Sequence, residues 1–238
     1  MPFFHIDIII LDWLHVVDLG ASLDFLGSFF KYLIDQKLTG TVAEKYQHFY
    51  SRMQLFYHGH DIQSRLDQFK PSMLLNTSDG SKIKFPKLRA KAGEARALIP
   101  FAVLVGRDLL DQKNVLKKQL FESAVALDKC YQQLSIQNFD AAELNQQSIR
   151  FALFYVSLNE HFDKLGQRYF KVKPKLHMFL EMCFTATTAP STTWTYRDES
   201  WGGEVSDMAA NKAGKSNPHA LGMSFFNRLF IKHSLPIL

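Results

Sequence analysis

Hydrophobic residues recur at intervals of three and four along most of this sequence, which is the spacing of helices with one apolar face. A short run at residues 4–11 is different, because its β-branched residues and small length favour a buried strand. The pattern therefore predicts a mainly α fold, a helical domain with one or few N-terminal strands. The later helices are expected over residues 88–110, 115–134, 140–165, 194–210 and 218–232.

Capping and turn residues indicate where other elements begin and end. Asp18 is predicted to cap a helix that stops near Gly40, and Thr41 opens the next helix. Pro174 is typical of a first helical turn, so a further helix should start there. The polar stretch between Pro71 and Pro86 predicts a loop or a short hairpin.

The composition fits one globular domain with a modest positive charge. The chain has 238 residues, of which 47% are hydrophobic, so it can bury a sizeable core. Lysine and arginine exceed aspartate and glutamate by 28 to 23, and the net charge is +5. This charge permits an anionic partner, although it is common among ordinary soluble proteins.

Cysteine usage and hydropathy indicate the compartment. Cys130 and Cys183 each lie in a hydrophobic helical stretch without a second cysteine nearby, so we expect buried, reduced thiols and an intracellular location. Asp7 and Asp12 interrupt the N-terminal apolar run, which predicts neither a signal peptide nor a membrane span.

Asp12 and His15 are the first candidate functional residues. They stand three positions apart at the end of the predicted strand, where a carboxylate and an imidazole can converge on a phosphate or a metal. The alternative is that Asp12 caps a helix and His15 is half-buried without a chemical role.

Acidic residues are concentrated near the start of the predicted helix at 194–210. One of them is expected to coordinate a divalent cation, or else they simply favour the positive end of the helix dipole. A second group of ligand types, at residues 58–61, has no further ligand nearby and is better explained as a solvated turn. The acidic group consists of Asp198, Glu199, Glu204 and Asp207.

A basic cluster precedes and opens the helix expected at Pro174. Phosphate contact needs only positive charge and reach, so the cluster is a candidate DNA-binding surface. A solvated basic face is the alternative. The candidate DNA-binding residues are Lys171, Lys173, Lys175, His177, Lys212 and Lys215.

Four short blocks stand in a recognisable order, and together they span most of the chain. The first consists of an acid, two further residues and a His. The second begins with a basic residue and ends with an apolar residue, Pro, an apolar residue and Ala. The third is a helix with Lys and His, and the fourth runs from Trp through Tyr to acids. The blocks are Asp12–His15, Lys87–Ala102, Lys175–Leu180 and Trp194–Glu199. In this order they resemble the downstream part of a eukaryotic DDE-type transposase of the CACTA and Plavaka sort.

The resemblance implies a partial RNase H-like core with a long helical insertion. Residues 1–40 would form part of that core, 41–165 the insertion, and 166–238 the C-terminal helices that complete it, all within a single domain. Such transposases use three acids to hold two Mg²⁺ or Mn²⁺ ions for DNA strand cleavage and transfer. Glu199 would be the final acid, with Glu204 as the alternative, and His15 would lie near the scissile phosphate.

The two upstream aspartates of the resembled family have no counterpart in this sequence. A single acid cannot hold two metals, so we expect a transposase-derived fragment without strand-transfer activity of its own and without a metal held by this chain alone. Its expected partners are DNA, a transposase subunit or a second copy, with nuclear localisation. A helical protein–protein interaction module is the main alternative, and a nuclease that uses Asp7, Asp12 and Glu199 is the last.

Overall fold

The computed structural model describes residues 11–74, 85–196 and 206. The chain divides into two compact units, residues 1–193 and 194–238. In the described part of the second unit, the rings of Trp194 and Tyr196 meet edge to face, with centroids 5.2 Å apart. All other features below belong to the first unit.

Helices dominate the described residues, which confirms the predicted mainly α fold; no strand is present among them. The strand expected at residues 4–11 lies outside the described part, except for Leu11, which is not in a strand. A π-helical segment runs directly into α1, and five further α-helices follow. The bounds are Leu14–Ala21 for the π segment, then α1 Ser22–Lys37, α2 Val42–Gly59, α3 Ala92–Leu109, α4 Val115–Gln132, α5 Ala141–Lys164 and α6 Pro174–Thr185.

Several helix starts follow from the capping residues. The Thr41 hydroxyl accepts the Glu44 amide hydrogen, and the Glu44 carboxylate accepts the Thr41 amide hydrogen in return. Asp140 accepts two amide hydrogens at the start of α5. Pro174 is the first residue of α6, as predicted. Each contact satisfies backbone donors that a helix N-terminus otherwise leaves unpaired.

The predicted capping role of Asp18 is wrong. Helical geometry begins at Trp13, and the Asp12 carboxylate accepts the amide hydrogen of His15 at 3.1 Å. Asp18 instead lies inside the π segment with 0% of its surface exposed. Its carboxylate is satisfied by distant residues: the Tyr131 hydroxyl at 2.6 Å and the Arg96 guanidinium at 3.1 Å.

The helix predicted to begin at residue 88 starts later, at Ala92. Residues 85–91, which we call the strip, lie in no helix or strand, and three of their amides donate to other segments of the chain. Lys87 and Arg89 donate to the carbonyls of Leu74 and Met73, at 3.0 and 2.8 Å. These bonds, together with one from Leu88 to α1, hold the strip in place.

The α1 helix forms the centre of the core. Phe25, Phe29 and Phe30 are each 0% exposed. The Phe30 ring meets those of Phe49 on α2 and Phe101 on α3, with centroids 5.1 and 5.7 Å apart. Burying an aromatic side chain contributes about 2–3 kcal/mol, so this central helix is the main source of packing energy.

Gly27 is the point at which the backbone of the strip contacts α1. A Cβ atom there would lie 2.5 Å from the backbone nitrogen of Leu88 and from Lys87 Cα. The Leu88 amide donates to the Leu23 carbonyl at 2.9 Å. The missing side chain therefore lets two backbones touch, and this contact sets the position of Lys87.

Both cysteines are free and buried, as the sequence predicted. Burial raises the pKa of the Cys183 thiol to about 12, and burial also raises the pKa of Cys130. Among the described residues, no helix has both the length and the apolar character needed to cross a membrane.

Candidate nucleic-acid interface

The start of the first helix carries Asp12 and His15 in direct contact. Asp12 Oδ2 lies 2.5 Å from His15 Nδ1, and the same oxygen accepts the His15 amide hydrogen. The His15 side chain is 58% exposed, whereas that of Asp12 is 14% exposed. The capping alternative for Asp12 is confirmed, and His15 is exposed rather than half-buried.

Trp13 anchors this end of the helix. Its side chain is 1% exposed, and its ring meets those of Tyr131 and Phe179 edge to face, with centroids 5.5 and 5.9 Å apart. Edge-to-face aromatic pairs contribute about 0.5–1.5 kcal/mol beyond their buried area. The position of His15 is therefore fixed by packing two residues before it.

Lys175, in the first turn of α6, reaches the same point. Its Nζ donates to the main-chain oxygen of His15 at 2.6 Å. Asp12–His15 and the basic cluster, which were predicted as separate candidates, are therefore adjacent in the fold. The carbonyl holds the ammonium group without cancelling its charge, because a carbonyl oxygen is neutral.

Gly20 makes room for the Lys175 side chain. A Cβ atom at Gly20 would lie 2.5 Å from Lys175 Cδ and 3.2 Å from the His15 oxygen. The aliphatic part of Lys175 thus crosses the π segment where that segment has no side chain.

Lys173 makes a different kind of contact. Its Nζ lies 2.6 Å from Oδ1 of Asp24 on α1. The side chain of Asp24 is 9% exposed and that of Lys173 is 36% exposed. This ion pair offsets the charge of Lys173, unlike the carbonyl contact of Lys175.

Lys87 belongs to the same surface, although the sequence did not indicate it as a binding residue. Its Nζ donates to the Leu19 carbonyl at 3.3 Å. Burial lowers the pKa of Lys87 most, the Asp24 carboxylate acts in the opposite direction, and the charges of Lys173 and Lys175 lower the pKa further. The ammonium groups of Lys173 and Lys175 are therefore close enough to act on the charge of Lys87.

These three lysines contact successive positions along the π segment and α1. Lys175 is bound at position 15, Lys87 at 19 and Lys173 at 24, and we call them the lysine row. With a helical rise of about 1.5 Å per residue, the anchor points extend over about 13–14 Å. The row is formed by two chain segments: the strip at residues 85–91 and the residues at the start of α6.

Lys171 and His177 extend the basic surface. Lys171 Nζ lies 5.7 Å from the centre of the Phe85 ring, and the Lys171 carbonyl accepts the Tyr155 hydroxyl hydrogen at 3.2 Å. His177 is exposed on α6. A small recess at this end of the row is lined by Ala21, Asp24, Tyr155, Lys171, Lys173 and Leu176.

The metal-binding hypothesis finds no matching ligand set in the described part of the chain. Glu199 and Glu204 lie outside it, as do Asp7, Lys212 and Lys215. Within it, no three or more His, Cys, Asp or Glu side chains are grouped to hold a metal ion. Asp12 directs its carboxylate to His15, so these residues do not fit a two-metal centre and we derive no metal-dependent step.

No protein-family model matches this chain, and no similar protein was found among curated sequences or solved structures.

Proposed function

We propose that this chain binds the phosphate backbone of DNA through the lysine row, as a transposase-derived fragment without strand-transfer activity of its own. The observation that carries the proposal is the convergence of Lys87, Lys173 and Lys175 along one helix. Lysines that act on backbone phosphates supply affinity without reading the base sequence.

Two of the three ammonium groups are held by neutral carbonyl oxygens instead of by a carboxylate. Among the described residues, no carboxylate lies within ion-pair distance of Lys175 or Lys87, and each is held by a neutral carbonyl. An ammonium group has three N–H donors, and each carbonyl contact uses only one. The groups are thus positioned before a ligand arrives, which reduces the entropy that binding must overcome.

Repulsion of Lys87 by Lys173 and Lys175 also favours an anion. Burial lowers the pKa of Lys87 most, and those two positive charges lower it further. A phosphate placed between these groups would relieve the repulsion and raise that pKa. An anchor span of about 13–14 Å corresponds to about four phosphate intervals of one DNA strand, at about 3.4 Å of duplex axis for each.

The transposase-like origin rests on the four sequence blocks. Three of them meet around the first helix: Asp12–His15 lies on it, Lys87–Ala102 supplies Lys87, and Lys175–Leu180 supplies Lys175. A partial RNase H-like core, nuclear localisation and Mg²⁺ or Mn²⁺ use by an assembled enzyme are parts of this proposal.

Fluorescence anisotropy of a labelled DNA duplex tests the binding directly. The wild-type chain should bind with an affinity that falls as salt rises, and the double variant Lys87→Met/Lys175→Met should bind at least about tenfold more weakly at 0.1 M salt. Each lysine lost should reduce the slope of log affinity against log salt by about 0.9.

Two exposed lysines near the start of α4 provide a matched control. Lys113→Met/Lys118→Met removes the same net charge at positions outside the row. This control should retain most of the wild-type affinity. Equal losses in both double variants would show that binding depends on net charge alone, and no salt-dependent binding by the wild type would reject the proposal.

A second candidate function, a helical protein–protein interaction module, is favoured by one feature of α5. Ile149, Leu153 and Val156 are 45%, 65% and 37% exposed, and their spacing of four and three places them on one face. Sedimentation of the wild type and of Leu153→Lys over a range of concentrations tests self-association through this face. A concentration-dependent dimer that only the variant loses would support this function.

A further inference from the structure

Asp24 is the acidic residue of the lysine row. Its carboxylate accepts from Lys173 Nζ at 2.6 Å, and its charge also acts on Lys87, raising the pKa of that lysine. The Asp24 side chain is almost entirely buried, whereas Lys173 is about one-third exposed. The ammonium group can therefore leave the pair toward solvent while the carboxylate stays in place.

We propose that Asp24 is an internal competitor for DNA phosphate at Lys173, so that binding exchanges a carboxylate oxygen for a phosphate oxygen on the same ammonium group. This inference rests on the proposed DNA binding and adds a residue that limits its affinity.

The exchange is chemically balanced, because both partners offer anionic oxygens to the same donors. Lys173 loses a carboxylate contact and gains a phosphate contact, so its net gain is smaller than that of a lysine without an acidic partner. Asp24 does not become an isolated buried charge when Lys173 moves, because Lys87 remains close enough to interact with it.

Lys175 shows why the pair at Lys173 is distinctive. Lys175 contacts a neutral carbonyl, so a phosphate reaches it without displacing a negative group. Asp24 therefore acts on one end of the row. Three lysines form the row, but only two of them bind phosphate without a competing carboxylate. Weak, salt-sensitive binding in the wild type and tighter binding without this carboxylate are the direct consequences.

The test compares Asp24→Asn with the wild-type chain by anisotropy on the same duplex over a salt series. Asp24→Asn should bind about three- to tenfold more tightly at 0.1 M salt, with a steeper slope by up to about 0.9. Asp108→Asn is the matched control, because it removes one negative charge from an ion pair with Arg52 outside the row. That control should leave the affinity within about twofold.

A double variant locates the effect at Lys173. In the background of Lys173→Met, the Asp24→Asn substitution should increase affinity clearly less than it does in the wild-type background. An equal gain in both backgrounds would overturn the exchange, because the carboxylate would then act only as a general negative charge.

The outcomes separate this inference from the proposed function. If the wild type binds and Asp24→Asn binds no more tightly than Asp108→Asn, the competitor role is rejected while DNA binding stands. If neither the wild type nor Asp24→Asn binds, DNA binding itself is rejected. Binding that appears only in Asp24→Asn would reject the proposed function of the wild-type chain and, with it, the exchange at Lys173. Circular dichroism checks the fold of each variant, and Asp24→Ser provides the same comparison if Asp24→Asn does not fold.

Discussion

The Tyr131 hydroxyl donates a 2.6 Å hydrogen bond to the carboxylate of Asp18, and this bond joins α4 to the π segment. Arg96 of α3 reaches the other carboxylate oxygen at 3.1 Å, and the Ser22 hydroxyl lies 2.8 Å from that of Tyr131. Burial and the nearby Asp18 charge raise the pKa of Tyr131 well above that of a free tyrosine. A single buried acid thus connects three helices beneath the lysine row.

Substitutions in this cluster should have graded effects on stability. Tyr131→Phe removes one hydrogen bond to a charged group and should lower the free energy of unfolding by about 1.5–3 kcal/mol. Asp18→Ala leaves Arg96 without its acid and should cost about 2–4 kcal/mol. Urea denaturation measures both. A smaller loss for Asp18→Ala than for Tyr131→Phe would contradict the assignment of Asp18 as the centre of the cluster.

Lys87→Met should separate stability from binding. The variant has an apolar side chain of similar length and removes a partly buried charge whose pKa burial lowers. At neutral pH it should be at least as stable as the wild type toward urea, and it should bind duplex DNA more weakly. Loss of stability together with binding would indicate that Lys87 has a structural role instead.

The difference in stability between the wild type and Lys87→Met should change with pH in a defined direction. Folding lowers the pKa of Lys87, so the unfolded chain binds the proton more tightly. The resulting penalty to the wild type is present below the folded pKa and is relieved as pH rises toward the ordinary lysine value. Wild-type stability relative to Lys87→Met should therefore increase with pH in the alkaline range, measured by urea unfolding at several pH values.

Three glycine-to-alanine substitutions should lower stability to different extents, depending on which atoms the new methyl group contacts. At Gly27 it meets backbone at 2.5 Å, at Gly20 it meets the flexible Lys175 chain at 2.5 Å, and at Gly59 it meets nothing within 4 Å. We expect losses of about 3 kcal/mol or more, about 1–2 kcal/mol, and none, respectively, in thermal or urea unfolding. Gly20→Ala should also weaken DNA binding, because it displaces Lys175, whereas Gly59→Ala should not.

The two thiols report on the integrity of the core. Burial raises the pKa of Cys183 to about 12, so almost no thiolate is present at pH 8. Reaction with a disulfide reagent at that pH should be slow in the native chain and fast for both cysteines in denaturant. Rapid reaction of either cysteine in the folded chain would contradict the burial of that residue.

Local signals in the sequence were sufficient for much of the helical architecture. Asp140 and Pro174 mark helix starts by chemistry that acts within one turn, and the structure places both as expected. The prediction for Asp18 was wrong because aspartate is a common capping residue. Its carboxylate instead contacts residues that are 78 and 113 positions away in the sequence. No local pattern contains that information.

The lysine row was only partly predictable for the same reason. Lys173 and Lys175 stand in an evident basic cluster, but their contacts with α1 and His15 depend on the tertiary fold. The sequence places Lys87 directly before the helix predicted over residues 88–110. Its place in the row follows from the Leu88 bond to Leu23 and the close approach at Gly27, which only packing determines.

The 3.0 Å hydrogen bond from the Lys87 amide to the Leu74 carbonyl also has a practical consequence. It brings together the two ends of the segment that joins them, so the chain enters and leaves this segment at neighbouring points. Lengthening such a closed connection costs only about 0.6 kcal/mol for each doubling of its length. The sequence predicts a loop or a short hairpin between Pro71 and Pro86, and we expect that connection to accept a fluorescent reporter domain whose own termini are close together, which leaves the lysines of the row unmodified.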